Sequence, residues 1–404
     1  VPAYHHIAER VIALATAIPD PYADLVERMA AVDSDLRAAL RAHGLAWEEY
    51  PDLTDAAREG GAAAALAYPM QGVLKYHGLS DWEYRIAFLP SVSLCNDAGH
   101  TLTLVEFDPD LSADCATING QPARGRELER VRQSLDTIRA ASGTTVCARV
   151  TSRNVTRGTR MGKGLGSSAA ASAALALAAI AALYGAAAAA NRRLVSCMAR
   201  LLAGSGCRSA AGGCSIWLSH PGISHEESFA VRLDDAGQLD DVRLITVPID
   251  SRIGLKTEQA HRDAPESALF RCWMLSRRDE ALACIAAARA GDWRTLGQWA
   301  ELDSMRLHGV TMSGSLENKL IGWEPENIAL FRMCNDLRSS GVPVYCSTDT
   351  GPTAVFITHR DYEDAVVAAI ERLGLDLETI RGRIAGPARL VDVAWARGEL
   401  GVEG

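Results

Sequence analysis

Residues Ala169 to Ala190 read AAASAALALAAIAALYGAAAAA, 22 positions without a charge, entered through the run Gly162-Lys163-Gly164-Leu165-Gly166-Ser167-Ser168. Length alone admits a membrane span. The tract is mostly Ala, however, which adds little insertion energy, and Leu, Ile and Phe are sparse. Ala is also the strongest helix former. The tract is therefore expected to be a helix buried on all sides in a soluble protein. Covering such a helix takes a long chain, and this one has 404 residues, 48% of them hydrophobic, enough for two or three domains. Its 41 Lys and Arg against 50 Asp and Glu give a net charge of -9, a poor match to nucleic acid that still permits a local basic pocket for a small anion. Ten cysteines without a CxxC pair, and the lack of HExxH, argue against a zinc ribbon and a zincin. No charged segment followed by an apolar one opens the sequence, so a reduced, cytoplasmic protein with no membrane partner is expected.

The first 65 residues read as helical: Ile7, Val11, Leu14 and then Leu25, Met29, Val32, Leu36 recur at helical spacing, broken near Pro19-Asp20-Pro21. Asp33-Ser34-Asp35 could start a further helix. From Tyr68 the pattern turns to short strand-like runs, YRIAFLP, HTLTLVEFD and TTVCARVTSRNV, with a hairpin signal at Asn119-Gly120. Past the Ala-rich tract come a helix from Asn191 to Leu202 and a strand at GGCSIWLS. The acidic stretch Asp234 to Asp241 would join two halves. The second half reads as strand VRLITVPI, helices from Pro265 to Ala300, strands PVYCSTD and TAVFIT, and a helix from Tyr362 to Leu373. The result is α+β in two lobes, with boundaries expected at 1–65, 66–240 and 241–404.

Three constellations could carry chemistry. The run Gly162 to Ser168 has glycines that let backbone approach an anion, followed by a helix N-terminus with free N–H groups. Ser167 and Ser168 add hydroxyls for phosphate oxygens or Mg2+. The spacing fits neither a Walker A loop nor a dinucleotide fingerprint; a plain helix cap is the bland alternative. The second is Gly204-Ser205-Gly206-Cys207-Arg208-Ser209, where Arg208 could offer a planar fork to a carboxylate or phosphate, or simply decorate an exposed turn. Cys207 reads as small apolar filler. The third is Asp349 in Ser347-Thr348-Asp349-Thr350-Gly351-Pro352, at a strand end suited to a general base. Asp-Thr-Gly also occurs in aspartic proteases, but their second carboxylate motif is missing, and an Asx turn is the ordinary reading.

Taken together and in order, these motifs resemble the GHMP kinase superfamily, and within it the mevalonate-diphosphate and mevalonate-phosphate decarboxylases. The resemblance runs from about Ala67 to the C-terminus, through Lys75-Tyr76-His77-Gly78, Pro90-Ser91-Val92-Ser93-Leu94, Ile118-Asn119-Gly120, Gly162 to Ala170, Ala199-Arg200 with Gly204 to Ser209, and Ser347 to Thr353. It implies an N-lobe like ribosomal S5 domain 2, a ferredoxin-like C-lobe and a helical N-terminal extension.

The resemblance further implies ATP on Gly162, Lys163, Gly164, Leu165, Gly166, Ser167 and Ser168, with Mg2+ near Ser167. Asp349, Lys75 and Arg208 would be catalytic: Asp349 orienting the 3-hydroxyl or taking its proton, Lys75 offsetting charge, Arg208 holding the carboxylate. Tyr76, Ser168, Ser205, Arg208 and His261 would bind a phosphorylated mevalonate, in a homodimer. Family members that bind a diphosphate usually have Trp at His77, Lys at Leu79 and Arg at the position aligned with Ala113. Two missing cations favour a monophosphate, 5-phosphomevalonate, decarboxylated to isopentenyl phosphate, although Lys256, His261 or Arg262 could compensate. The alternatives are a diphosphomevalonate decarboxylase, a kinase that stops at 3-phosphorylation, and an ATP-binding sensor without turnover.

Overall fold

The computed structural model describes residues 20–54, 61–160, 166–252, 257–315 and 320–402. The expected helix around Ile7, Val11 and Leu14 lies outside them. Helix α1 (Val26–Ala42) puts Met29, Val32, Leu36 and Leu40 on its buried face, packed with Phe88, Phe270 and Trp273. It passes through the suggested second start without a break, because Asp33 pairs with Arg37 one turn on, at 2.5 Å.

The helical reading fails over residues 45–53, which form no regular element, and at Ala62–Ala65. Strand β1 (Ala62–Ala67) lies inside a six-stranded sheet, where backbone pairing on both edges and cover by the Ala-rich helix override the preference of Ala for helix. Strands β2 (Met70–Leu74), β3 (Leu79–Asp81), β4 (Ile86–Ala87), β5 (Ser91–Cys95) and β6 (Gly99–Asp108) follow. YRIAFLP yields only the two residues of β4, since Arg85 turns at φ +52. Strands β7 (Cys115–Ile118) and β8 (Gln121–Pro122) flank Asn119-Gly120, whose φ values of 51 and 76 make the expected tight hairpin. Helix α2 (Gly125–Ala140) and strand β9 (Cys147–Thr156) lead to the Gly-rich turn.

The charge-free tract forms α3 (Ser167–Tyr184) and, beyond a break at Gly185, the short α4 (Ala186–Ala190). Helix α3 is buried nearly all round, against β1 and β6 on one side and against α5 (Arg192–Leu202) and α6 (Gly206–Ala211) on the other. It is long and apolar enough to cross a membrane, yet it is the core helix of the N-lobe. Strands β10 (Cys214–Trp217) and β11 (Ala230–Arg232) complete a second sheet in the order β11-β10-β5-β2.

The C-lobe runs β12 (Val242–Val247), α7 (Thr257–Asp263), α8 (Ala268–Ala290), α9 (Trp293–Ser313), α10 (Pro325–Ser339), β13 (Tyr345–Thr348), β14 (Ala354–His359), α11 (Glu363–Arg372) and β15 (Ile380–Arg383). Its antiparallel sheet has the order β13-β14-β12-β15, the βαββαβ arrangement of a ferredoxin-like lobe. Strand β16 (Arg389–Val391) then returns to the N-lobe and pairs with β1, and α12 (Val393–Leu400) closes over β6. The first sheet thus reads β16-β1-β6-β9-β7-β8.

Candidate active site between the lobes

A cavity of ≈ 300 Å3 is lined by Lys75, Tyr76, Gly166, Ser167, Ser168, Ser205, Arg208, His261 and Asp349, together with Met70, Gly72, Thr257, Leu307 and Thr350. Every expected site residue within the described part of the chain is in that first group. Gly162, Lys163, Gly164 and Leu165, and also Lys256, lie outside the described residues.

Lys75 follows β2 and Asp349 follows β13, so two sheets deliver their strand ends to one point. Lys75 Nζ donates to Asp349 Oδ1 at 2.7 Å, to Ser347 Oγ at 2.7 Å and to Gly72 O at 2.6 Å. All three ammonium protons are thereby used. Burial pulls the Lys75 pKa down and the Asp349 charge pulls it back up, with burial the larger effect. Gln71 Nε2 also donates to Asp349 Oδ1, at 3.2 Å, and Gly72 N is shared between the two carboxylate oxygens at 3.3 and 3.4 Å. Among the described residues Oδ2 has only that last long contact, which leaves it an open acceptor.

A further layer fixes Lys75 from behind. Asp303 Oδ2, on α9, accepts from Lys75 N at 2.6 Å, and Arg277 Nη2 on α8 donates to Lys75 O at 3.2 Å. Arg277 and Asp303 pair at 3.1 Å with neither side chain exposed, and Trp273 Nε1 donates to the other Asp303 oxygen at 2.7 Å.

Arg208 is 2% exposed, which overturns the exposed-turn alternative. The only hydrogen bond of its guanidinium among the described residues is a 3.4 Å contact to Val92 O, and its buried Nε has no partner. No described carboxylate pairs with it. A buried guanidinium without an acid is costly unless a ligand supplies the anion. It sits 5.3 Å from the Tyr76 ring, which stacks on His261 with ring centres 5.3 Å apart. Burial, and then the Arg85 charge, hold His261 down to about 4, so its imidazole is neutral near pH 7. His77 is wholly buried beside it, Nδ1 to Nδ1 3.3 Å, and is likewise held well below 6.5 by burial.

The described end of the Gly-rich turn carries a helix N-terminus with no side-chain cap, so the first N–H groups of α3 are available. Gly166 has φ +73, and a Cβ there would lie 2.5 Å from Met70 O, so only Gly brings the turn this close to β2. Ser167 and Met70 also line a second cavity of ≈ 200 Å3, walled by Asn96, His100, Thr101 and Asn154 on the far side. Sequence reading gave no sign of this second cavity, whose walls are ordinary strand residues.

Two expectations about missing cations do not match the structure. Leu79 does not line the cavity but packs in an apolar cluster with Ala87, Cys207, Trp217 and Ala230. Ala113 is exposed on the loop before β7, beside Asp114, which is bound to Arg139 at 2.8 Å.

Residues 67–230 match the family model described as "Diphosphomevalonate decarboxylase-like N-terminal domain". Phosphomevalonate decarboxylase of Haloferax volcanii is 33% identical over 335 residues, 83% of this chain and 99% of that protein. The chain belongs to this decarboxylase family. Mevalonate 3,5-bisphosphate decarboxylase of Thermoplasma acidophilum, a second relative, is 27% identical over 76% of this chain and 73% of that protein. Among solved structures, mevalonate diphosphate decarboxylase from Enterococcus faecalis, in which mevalonate diphosphate mediates ATP binding, superposes with a TM-score of 0.73 at 25% identity, covering 83% of this chain and all of that one. The two-lobe GHMP fold is therefore the family fold.

Proposed function

We propose that this protein is an ATP-dependent decarboxylase that converts 5-phosphomevalonate to isopentenyl phosphate. The observation that carries the reading is the locked Lys75–Asp349 pair, placed in one cavity with an uncapped helix N-terminus and a buried Arg208 that lacks an acid. The name of the Haloferax relative supports the monophosphate as substrate.

The residues fit a polyphosphate with Mg2+. Gly166 and the N-terminus of α3 suit phosphate oxygens, and the adjoining second cavity has room beside Ser167 for the rest of a nucleotide. Among the described residues no three His, Cys, Asp or Glu side chains could hold a metal, so Mg2+ would rest mainly on phosphate oxygens with Ser167 nearby. ATP supplies the phosphoryl group that makes a leaving group of the tertiary 3-hydroxyl.

The protein's own residues set up that transfer. Asp349 Oδ2 accepts the hydroxyl proton or aims the hydroxyl, while Lys75 holds the carboxylate in place. Arg208 takes the substrate carboxylate in a bidentate fork, with Ser205, Ser168, Tyr76 and His261 shaping the wall. Loss of CO2 breaks the bond from that carboxylate carbon, its electron pair forms the alkene, and the 3-phosphate departs with the C–O pair. The test is to supply ATP, Mg2+ and 5-phosphomevalonate, in parallel with the diphosphate, and measure ADP and CO2 together. Equal ADP and CO2, faster with the monophosphate, is expected. ADP without CO2 would leave a kinase, and no ADP with any mevalonate derivative would leave a binding protein.

A further inference from the structure

Arg85, Arg126 and Arg130 converge on a recess of ≈ 440 Å3 whose other walls are Glu129 and Gln133. Arg85 comes from the turn between β3 and β4, and Arg126 and Arg130 lie one turn apart on α2, hence on one face. Arg85 Nε donates to Leu201 O at 2.7 Å, and Arg130 donates to Leu202 O. Both therefore gather at the carbonyl end of α5, just before the Gly204-Ser205 loop that lines the central cavity.

The recess is short of negative charge. Neither Arg85 nor Arg130 pairs with a described carboxylate, and Arg130 Nε is buried without a partner. Arg126 pairs with Glu258, but Glu258 is shared with Arg262 at 3.2 Å. Burial, and then the charges of Arg85 and Arg126, push Arg130 down to about 10. Crowded guanidiniums without a full set of acids are stabilised by a bound dianion.

Helix α7 lies between the recess and the proposed substrate cavity: Thr257 and His261 line the cavity, and Glu258 pairs with Arg126. Glu258 faces the arginines, and His261, one turn on, stacks against Tyr76 inside the cavity. The Arg85 charge acts on both Tyr76 and His261.

We infer that Arg85 and Arg130, assisted by Arg126, form the subsite for the 5-phosphate of the substrate. The inference rests on the proposed decarboxylase reading for the identity of the ligand. It also explains how the molecule holds a phosphate with Leu79 buried and Ala113 on a distant loop. Two guanidinium forks match a phosphate dianion better than one ammonium would.

The test uses the full-length protein with Arg85→Met and Arg130→Met, plus Arg130→Lys as the conservative form. For 5-phosphomevalonate, KM should rise about tenfold or more in each Met variant, with kcat within about threefold and partial recovery in Arg130→Lys. An unchanged KM in both Met variants, with CO2 still released, would overturn the subsite and leave the decarboxylase reading standing. Calorimetric binding of inorganic phosphate is read alongside, without ATP. Binding to the unaltered protein that is lost in Arg130→Met supports the subsite even if no substrate turns over. Binding retained by both Met variants, or absent from the unaltered protein, overturns it.

Discussion

Two buried ion pairs lie back to back in this molecule and serve different ends. Arg277–Asp303 is sealed: neither side chain is exposed, and Trp273 and the backbone of Lys75 take up Asp303. Lys75–Asp349 is sealed on one side only, with the Lys75 side chain 2% exposed and that of Asp349 17%. The first pair has no free valence toward the cavity and can only hold position. The second keeps an unclaimed carboxylate oxygen where a ligand can reach it. Burial and pairing do not mark a reactive group; an open lone pair in a rigid setting does.

The sharpest way to break this contrast is Asp303→Asn. Leaving the buried Arg277 charge opposed only by Glu280, 3.8 Å away, should cost about 3 kcal/mol of unfolding free energy. A denaturant titration indistinguishable from that of the unaltered protein would show that the sealed pair holds nothing. Asp349→Asn should act on turnover. It should lower kcat by at least about 100-fold, equal to about 2.7 kcal/mol, while ATP affinity stays close to its original value; the unfolding midpoint should fall as well, because Lys75 loses its buried partner. Turnover near normal would remove Asp349 from the chemistry.

Arg208→Lys tests the buried guanidinium that pairs with no acid among the described residues. Replacing a bidentate fork by a point charge should raise KM about tenfold, with binding of the substrate measured directly to check it. An unchanged KM would place the carboxylate elsewhere.

A separate test concerns pH. Burial is the first cause holding His225 and His308 down to about 3 and His261 to about 4. The unfolded chain takes up these protons below about 6.5, the folded chain only near 3–4. Their contribution to stability is therefore complete above pH 6.5 and is lost as pH falls toward 3, at up to about 1.4 kcal/mol per pH unit for each histidine. A melting series from pH 7 to 4 should slope downward, and His308→Gln should flatten it. A flat series in the unaltered protein would mean these rings are already charged when folded.

The sequence made local features legible and left long-range ones dark. The start of α3 at Gly166, the Asn119-Gly120 hairpin and the motif around Asp349 each announce themselves within a few residues, because backbone conformation is a local matter. Periodicity also located α1 and the strands on either side of Asp349. Asp303 carries no such signal: it reaches Lys75 across 228 positions, from the middle of an amphipathic helix. Arg85, Arg126 and Arg130 likewise look like scattered surface charge until the turn after β3 and the helix α2 are brought together. Ala62–Ala67 misled for the opposite reason, since its local preference is clear and its sheet partners overrule it.

One of those partners has a bearing on how the protein is made. The outer neighbour of β1 is Arg389–Val391, and it sets Ala64 opposite Val391 and Leu66 opposite Arg389. During synthesis the first sheet must wait with an unpaired edge until residues 389–391 have left the ribosome. The two lobes therefore cannot mature strictly one after the other, and an early stop in translation would release an N-lobe with an adhesive margin.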